Sequence, residues 1–175
     1  MPNETNKLSV GVADAGGAGE APDERILRFI GRHRVMTLAA TSTAEGDVWC
    51  CNLFYASIAP GKAFPGGALV FTSPEKTLHA TYMTENPSVA GSIVLESKVV
   101  GKLQGLQLQG TVIRADENPA LCETAKKAYL KRFPFAALIL SDLWVLALSR
   151  LKYTDNTLGF GTKLHWPAET GNTVR

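Results

Sequence analysis

The first regular pattern along the chain is helical. Ile26, Leu27, Phe29 and Ile30 fall on one stripe directly after Pro22-Asp23, where an aspartate can cap, so a helix is expected that ends near Gly31. Two strands are expected at about 34–42 and 47–56, joined by the turn-like Glu45-Gly46-Asp47. A Gly- and Pro-rich break over 60–67 precedes a short apolar strand at 68–72. Ser73-Pro74-Glu75 reads as a helix start, with the serine at the cap and the proline in the first turn, and Asn86-Pro87 as its stop. Longer strands with imperfect alternation are expected at 89–96 and 104–114. Asp116-Glu117 opens the longest helix, whose stripe is Leu121, Ala125, Ala128 and Tyr129 and which runs to about Arg132. Phe133-Pro134 breaks it, a short helical turn covers 135–140, and a final strand runs from Trp144 to about Tyr153.

Short hairpin connections between these strands favour antiparallel pairing over repeated strand–helix–strand units. Six strands in a chain of this size close most economically into a small barrel, which removes exposed edges. The expected fold class is therefore mainly β with helices: a six-stranded antiparallel split β-barrel. Residues 1–21 read as a flexible tail, because the Gly16-Gly17-Ala18-Gly19 run has neither a delivering strand nor a following helix. Residues 22–175 read as one domain with an irregular carboxyl-terminal segment.

Composition narrows the function. The chain has 175 residues, 45% hydrophobic and 19% charged, which fits one folded domain and excludes disorder. A formal net charge of +2 offers no general attraction to nucleic acid or acidic membranes. No stretch reaches the roughly 20 apolar residues of a membrane span, and the amino terminus lacks a secretory pattern, so a cytoplasmic location is expected. Three cysteines make no disulfide framework, and His33, His79 and His165 form no ligand-spaced pair, so no metal site is expected. There is no phosphate-binding P-loop, nucleophile elbow or paired-carboxylate signal, and no catalytic residue is assigned.

Three stretches carry candidate chemistry. From Thr72 to His79, a helix start would offer unpaired N–H groups, hydroxyls from Thr72, Ser73 and Thr77, the Lys76 cation and a further donor on His79. That set suits a phosphate monoester; a capped helix with an exposed lysine is the alternative. Over Trp49–Tyr55, Trp49, Cys51, Leu53 and Tyr55 share one strand face, and Cys50, Asn52 and Phe54 the other. A flat ring could lie against this strand near Asn52, whereas Trp49 and Phe54 are expected to pack in the core. Gln107 and Gln109 share a face with amides able to read a polar ligand, and Gln104 falls on the opposite face. Lys126, Lys127, Lys131 and Arg132 complement the end of their helix and need no ligand. The 153–161 segment, continuing to Trp166, carries Leu158 and Phe160 and reads as a loop packed over the tail or over a pocket.

On Trp49-Cys50-Cys51-Asn52-Leu53-Phe54-Tyr55, Lys131-Arg132-Phe133-Pro134 and Tyr153-Thr154-Asp155-Asn156-Thr157-Leu158-Gly159-Phe160-Gly161, the chain resembles the pyridoxamine-phosphate-oxidase-like flavin-binding split barrels, and within them the YhbP-type bacterial proteins. The resemblance covers roughly Ile26 to Trp166. It implies a homodimer with FMN at the subunit interface and flavin-dependent oxidoreductase chemistry, with NADH, NADPH or another electron donor. It places the ring at Cys51, Asn52 and Tyr55, the phosphate at Thr72, Lys76, Thr77 and His79, and Gln109 beside the ribityl chain or ring. Against the family's Ser-Arg-Lys run before Asn-Pro, Thr77 takes the serine position, Leu78 the arginine and His79 the lysine. The residues that would grip pyridoxine phosphate have no match, so that oxidase activity itself is not implied. The alternative function is a ligand-binding or regulatory protein on the same barrel, holding haem or a phosphorylated small molecule.

Overall fold

The computed structural model describes residues 20–138, 142–159 and 161–168, and the expected tail up to residue 19 lies outside them. The chain runs α1 (Glu24–Arg32), β1 (Val35–Thr41), β2 (Val48–Ile58), β3 (Ala68–Thr72), α2 (Leu78–Glu85), β4 (Ser88–Leu95), β5 (Gln104–Arg114), α3 (Pro119–Arg132), β6 (Leu143–Asp155) and β7 (Lys163–Trp166). All strand pairings are antiparallel in the order β3-β2-β1-β4-β5-β6-β7, and β3 also pairs with β6. The first six strands therefore close a barrel, and β7 is added outside the closure.

Alternation along the strands decides which side chains fill it. Met36, Leu38 and Ala40 of β1, and Leu106, Leu108 and Val112 of β5, point inward and are buried. Ile26, Phe29 and Ile30 of α1, and Ala80, Tyr82 and Met83 of α2, join the same core. A second apolar cluster lies outside the barrel, where Ala125 and Tyr129 of α3, with Phe133 and Ala136, cover Ala56, Ala68, Val70, Leu143 and Val145. No helix of the described residues covers the rest of the barrel's outer surface.

The β6 strand serves both regions through a bulge. Residues Leu143–Ala147 pair with β3, residues Leu151–Thr154 pair with β7, and β5 runs along the other side throughout. Gly110 faces Leu148 and Gln109 faces Arg150, which leaves Ser149 as the extra residue. Inward positions before it are Trp144, Leu146 and Leu148; after it they are Leu151 and Tyr153. The bulge thus flips the strand's phase and turns Arg150 and Lys152 outward. A Cβ on Gly110 would drive into the Ala147 carbonyl oxygen and lie 2.8 Å from Leu146 Cδ1.

Three expectations are corrected. Ser73 does not cap the second helix and Pro74 is not in its first turn: Thr77 caps it, accepting from the Ala80 N–H at 3.4 Å, and α2 begins at Leu78. Residues 74–77 form a turn closed by Thr77 N–H on the Pro74 carbonyl at 3.0 Å, while the Ser73 carbonyl takes the indole N–H of Trp144. The long helix opens one turn later, with Asn118 capping Ala120 and Leu121 and a short 3-10 turn over Ala115–Glu117. The carboxyl-terminal segment is not wholly irregular, because β7 occupies the β6 edge beyond the reach of β3. Buried Asp155 fixes this return by accepting from Gln104, Tyr153 and both the N–H and hydroxyl of Thr157. Burial works to raise its pKa, but these donors outweigh it and hold the carboxyl below the usual 3.8.

Gly110→Ala is expected to cost about 2 kcal/mol or more, because a backbone carbonyl cannot step aside as a flexible side chain would. Urea unfolding should show a lower midpoint with little change in slope, whereas Gly101→Ala, with nothing near its Cα, should leave the midpoint nearly unmoved.

Candidate functional site

The expected site residues fall into three places. Cys51 and Tyr55 turn inward from β2. Burial, with the neighbouring Cys50 as the smaller cause, pushes the Cys51 thiol up to about 11, so it is an inert packing group. Tyr55 is fully buried, its hydroxyl donates to the Ile30 carbonyl at 2.8 Å, and burial raises its pKa strongly. Its side chain therefore cannot border a bound ring. Trp49 and Phe54 reverse their expectation of core packing: they are 48% and 59% exposed. Phe54 meets Phe133 edge-on at 5.8 Å beside the end of α3.

The second place is the β3–α2 turn. Ser73 Oγ lies 2.9 Å from Thr77 Oγ1 and 2.7 Å from His79 Nε2, and Thr77 Oγ1 lies 3.2 Å from that nitrogen. The Thr77 hydroxyl also donates to the Pro74 carbonyl. Burial lowers the His79 pKa, so the ring is neutral near pH 7. Thr72 ends β3 opposite Leu143, and Lys76 is exposed on the turn. Sequence proximity did bring Ser73, Thr77 and His79 together, but their polar atoms bond one another. With a neutral imidazole and Leu78 uncharged, Lys76 is the single cation among residues 72–79.

The third place is the outer surface that α3 leaves open. Two side-chain rows cross it in register. Asn52, Thr37, Ser92, Gln107, Lys152 and His165 form one row over six strands; Cys50, Ala39, Ala90, Gln109 and Arg150 form the other over five. The middle of both rows is small, and Thr37 donates to Asn52 Oδ1 at 2.8 Å. Gln104 is turned away from this surface and spent on Asp155. Asn52 and Gln109 both face outward, three strand spacings or roughly 14 Å apart.

Some roles escaped the sequence. Arg150 and Lys152 look like core-phase positions if β6 is read as one continuous alternation, and only the switch from Leu146 and Leu148 to Leu151 and Tyr153 signals the bulge. Arg132 of the Lys-Arg-Phe-Pro stretch donates to the Gly31 and His33 carbonyls, tying the end of α3 to the end of α1. Trp166 lies against Gly66 and donates to the Glu20 carbonyl at 2.8 Å, so it packs down the segment before α1; Phe160 lies outside the described residues. Among the described residues there is no cluster of metal-ligating side chains and no helix long and apolar enough to cross a membrane.

Comparison with known proteins now has this geometry to meet. A protein of Citrobacter koseri described as UPF0306 is 36% identical over 141 residues, 81% of this chain and 90% of its own length. The UPF0306 protein YhbP of Salmonella newport is likewise 36% identical, over 79% of this chain and 88% of its length. The chain belongs to the UPF0306 (YhbP) family. No family model matches it. Among solved structures, a heme binding protein from Mycobacterium smegmatis superposes with a TM-score of 0.63 at 25% identity, over 79% of this chain and 55% of that one. A FAD-binding protein from Mesorhizobium loti gives 0.56 at 12% identity, over 73% and 90%. These neighbours carry the pyridoxamine-phosphate-oxidase-like split barrel, which is the fold of this member of the UPF0306 family.

The His79 ring should titrate below the ordinary 6.5 when followed by NMR. Its depressed folded-state pKa means the unfolded chain binds the proton more readily, so this contribution to stability is present above about pH 6.5 and is lost as pH falls below it. His79→Gln should flatten that part of the acid limb in pH-dependent unfolding. A midpoint above 6.5 would instead mark an imidazolium available to an anion.

Proposed function

We propose that this chain is a homodimeric FMN-binding protein that serves as a small oxidoreductase, with NADH or NADPH as electron donor. The observation that carries the reading is the open outer surface. The described helices leave most of one face of the barrel uncovered, its middle is floored by Thr37, Ala39, Ala90 and Ser92, and polar side chains stand at both ends of the rows. A flat heteroaromatic ring buries area well on such a floor, and a second copy facing it would exclude water from the ring's other side.

The fit to FMN is uneven along the ligand. Asn52, held by Thr37, presents an amide to a ring edge, and Gln109 presents another across the floor. The β3–α2 turn does not fit a phosphate dianion as it stands, because its hydroxyls and imidazole satisfy one another and Lys76 alone brings charge. Flavin, when bound, supplies the electron-transfer chemistry. The chain's own part is to orient the ring through Asn52 and Gln109, to fix polarity around it, and to limit water through the partner's surface. Membership in a barrel class that includes a FAD-binding protein supports this reading.

A second reading is haem. It is favoured by the 25% identity to the heme binding protein and by His165, an imidazole on the outer row of a surface broad enough for a porphyrin. Absorption spectra and titrations of the purified chain separate the two. Saturable FMN binding in the micromolar range, about one per chain, followed by bleaching with NADH or NADPH, is the expected result. A Soret band with saturable haem and no FMN response would replace the first reading by the second. Asn52→Leu should weaken the cofactor that binds by severalfold without unfolding the barrel, since the side chain is exposed.

A further inference from the structure

Beyond the floor of the open surface, at its β6–β7 end, lies a shallow groove of about 450 Å3. Gln107, Gln109, Arg150, Lys152 and His165 wall it over Ala90 and Gly91. Register fixes how they meet: Gln109 is directly opposite Arg150, Gln107 is opposite Lys152, and His165 is opposite Lys152 on the other side. Cross-strand partners of this kind stand about 5 Å apart at Cβ, close enough for their polar ends to reach one small group.

The charges here are placed at a cost that needs a reason. Two cations two positions apart repel one another, and the Ser149 bulge is what aims both outward together. Among the described residues no carboxylate lines the groove, and neither Arg150 nor Lys152 has a salt bridge. Among the described residues salt bridges engage only Arg25, Arg28 and Arg114, so what sets Arg150 and Lys152 apart is that both face one groove. Among the described residues the groove presents one guanidinium fork, one ammonium and two amides with no carboxylate beside them.

We infer that this groove is a binding site for a phosphate monoester group, held by Arg150 and Lys152 with Gln107 and Gln109 completing its hydrogen bonds. A phosphate monoester carries about −1.5 to −2 charge and three acceptor oxygens, which matches two cations and further neutral donors better than a carboxylate with two oxygens does. The guanidinium can take two oxygens at once and the ammonium a third. The site stands whether or not the barrel carries flavin. The phosphate is either the cofactor's own or that of a separate small molecule, and the two sources are separable.

The test is a titration of uniformly labelled protein with inorganic phosphate, following the side-chain amide signals of Gln107 and Gln109 by NMR. Saturable shifts are expected in the wild type, weakened about tenfold or more in Arg150→Gln/Lys152→Gln and retained in Lys76→Gln. Arg150→Lys, which keeps the charge and loses the fork, should fall between them. Repeating the titration with FMN and with riboflavin identifies the source. Loss of preference for FMN over riboflavin in the double variant assigns the groove to the cofactor's phosphate. An unchanged FMN affinity, with the inorganic phosphate response still lost, assigns it to a separate phosphorylated ligand. If no flavin binds but the phosphate response follows Arg150 and Lys152, the groove stands and the flavin reading falls. Absence of saturation in the wild type, or equal affinity in a folded double variant, overturns the groove.

Discussion

The barrel closes only because one strand can change partners without losing its inward face. β6 must pair with β3 at its start, yet β3 is five residues long and ends there, so the rest of β6 meets β7. Closure requires a bend at the changeover. Ser149 supplies it as an extra residue, and Gly110 supplies the room, since its missing side chain lets the Ala147 carbonyl approach. Trp144, Leu146 and Leu148 before the bend, and Leu151 and Tyr153 after it, all reach the same core. The interior is thus continuous although the alternation along β6 is not.

The same bend divides the outside of the barrel. Before it, Leu143 and Val145 are covered by the apolar face of α3, so that part of β6 is buried on both faces. Arg132 anchors the end of that helix on the Gly31 and His33 carbonyls, with its guanidinium 5.9 Å over the Tyr55 ring. After the bend no helix of the described residues covers the strand, and the outward positions become Arg150 and Lys152. One half of the outer surface is a second core and the other half is free to face a ligand or another chain. That division is set by the length of β3 and the reach of α3.

Much of this was legible in the residues, and the failures have physical causes. A short apolar run placed β3 and imperfect alternation placed β5 at their observed bounds, and the capping Asp23 placed α1. Alternation also sorted β2 correctly into two faces. It could not say how far a helix would cover the outward face, where Phe54 is exposed, nor that the inward face is open at the start of β2, where Trp49 is exposed. Ser73-Pro74 imitated a helix start because capping preference is local, whereas the Ser73 carbonyl is bound by Trp144, which arrives from β6. β7 is four residues long, too short for a period to register, and exists because β6 has an edge to offer. The grouping of Ser73, Thr77 and His79 was legible from spacing; that they would satisfy one another was not.

The outward cations also help to hold the register that exposes them. Without the extra residue at Ser149, the alternation set by Leu146 and Leu148 would carry Arg150 and Lys152 into the core and put Leu151 and Tyr153 outside. Burying an unpaired cation costs several kcal/mol even after relaxation, and exposing two large apolar side chains forfeits about 2 kcal/mol each. A one-residue slip is therefore opposed from both faces of the strand. The sequence Leu148-Ser149-Arg150-Leu151-Lys152-Tyr153 specifies the bulge by making the unbulged alternative untenable. In the same stroke it fixes two positive charges at the edge of the open surface. The net charge of +2 says nothing of this, because in salt an anion at the groove responds mainly to charges within about 10 Å, and the bend in β6 has gathered two cations on a groove that no carboxylate lines among the described residues.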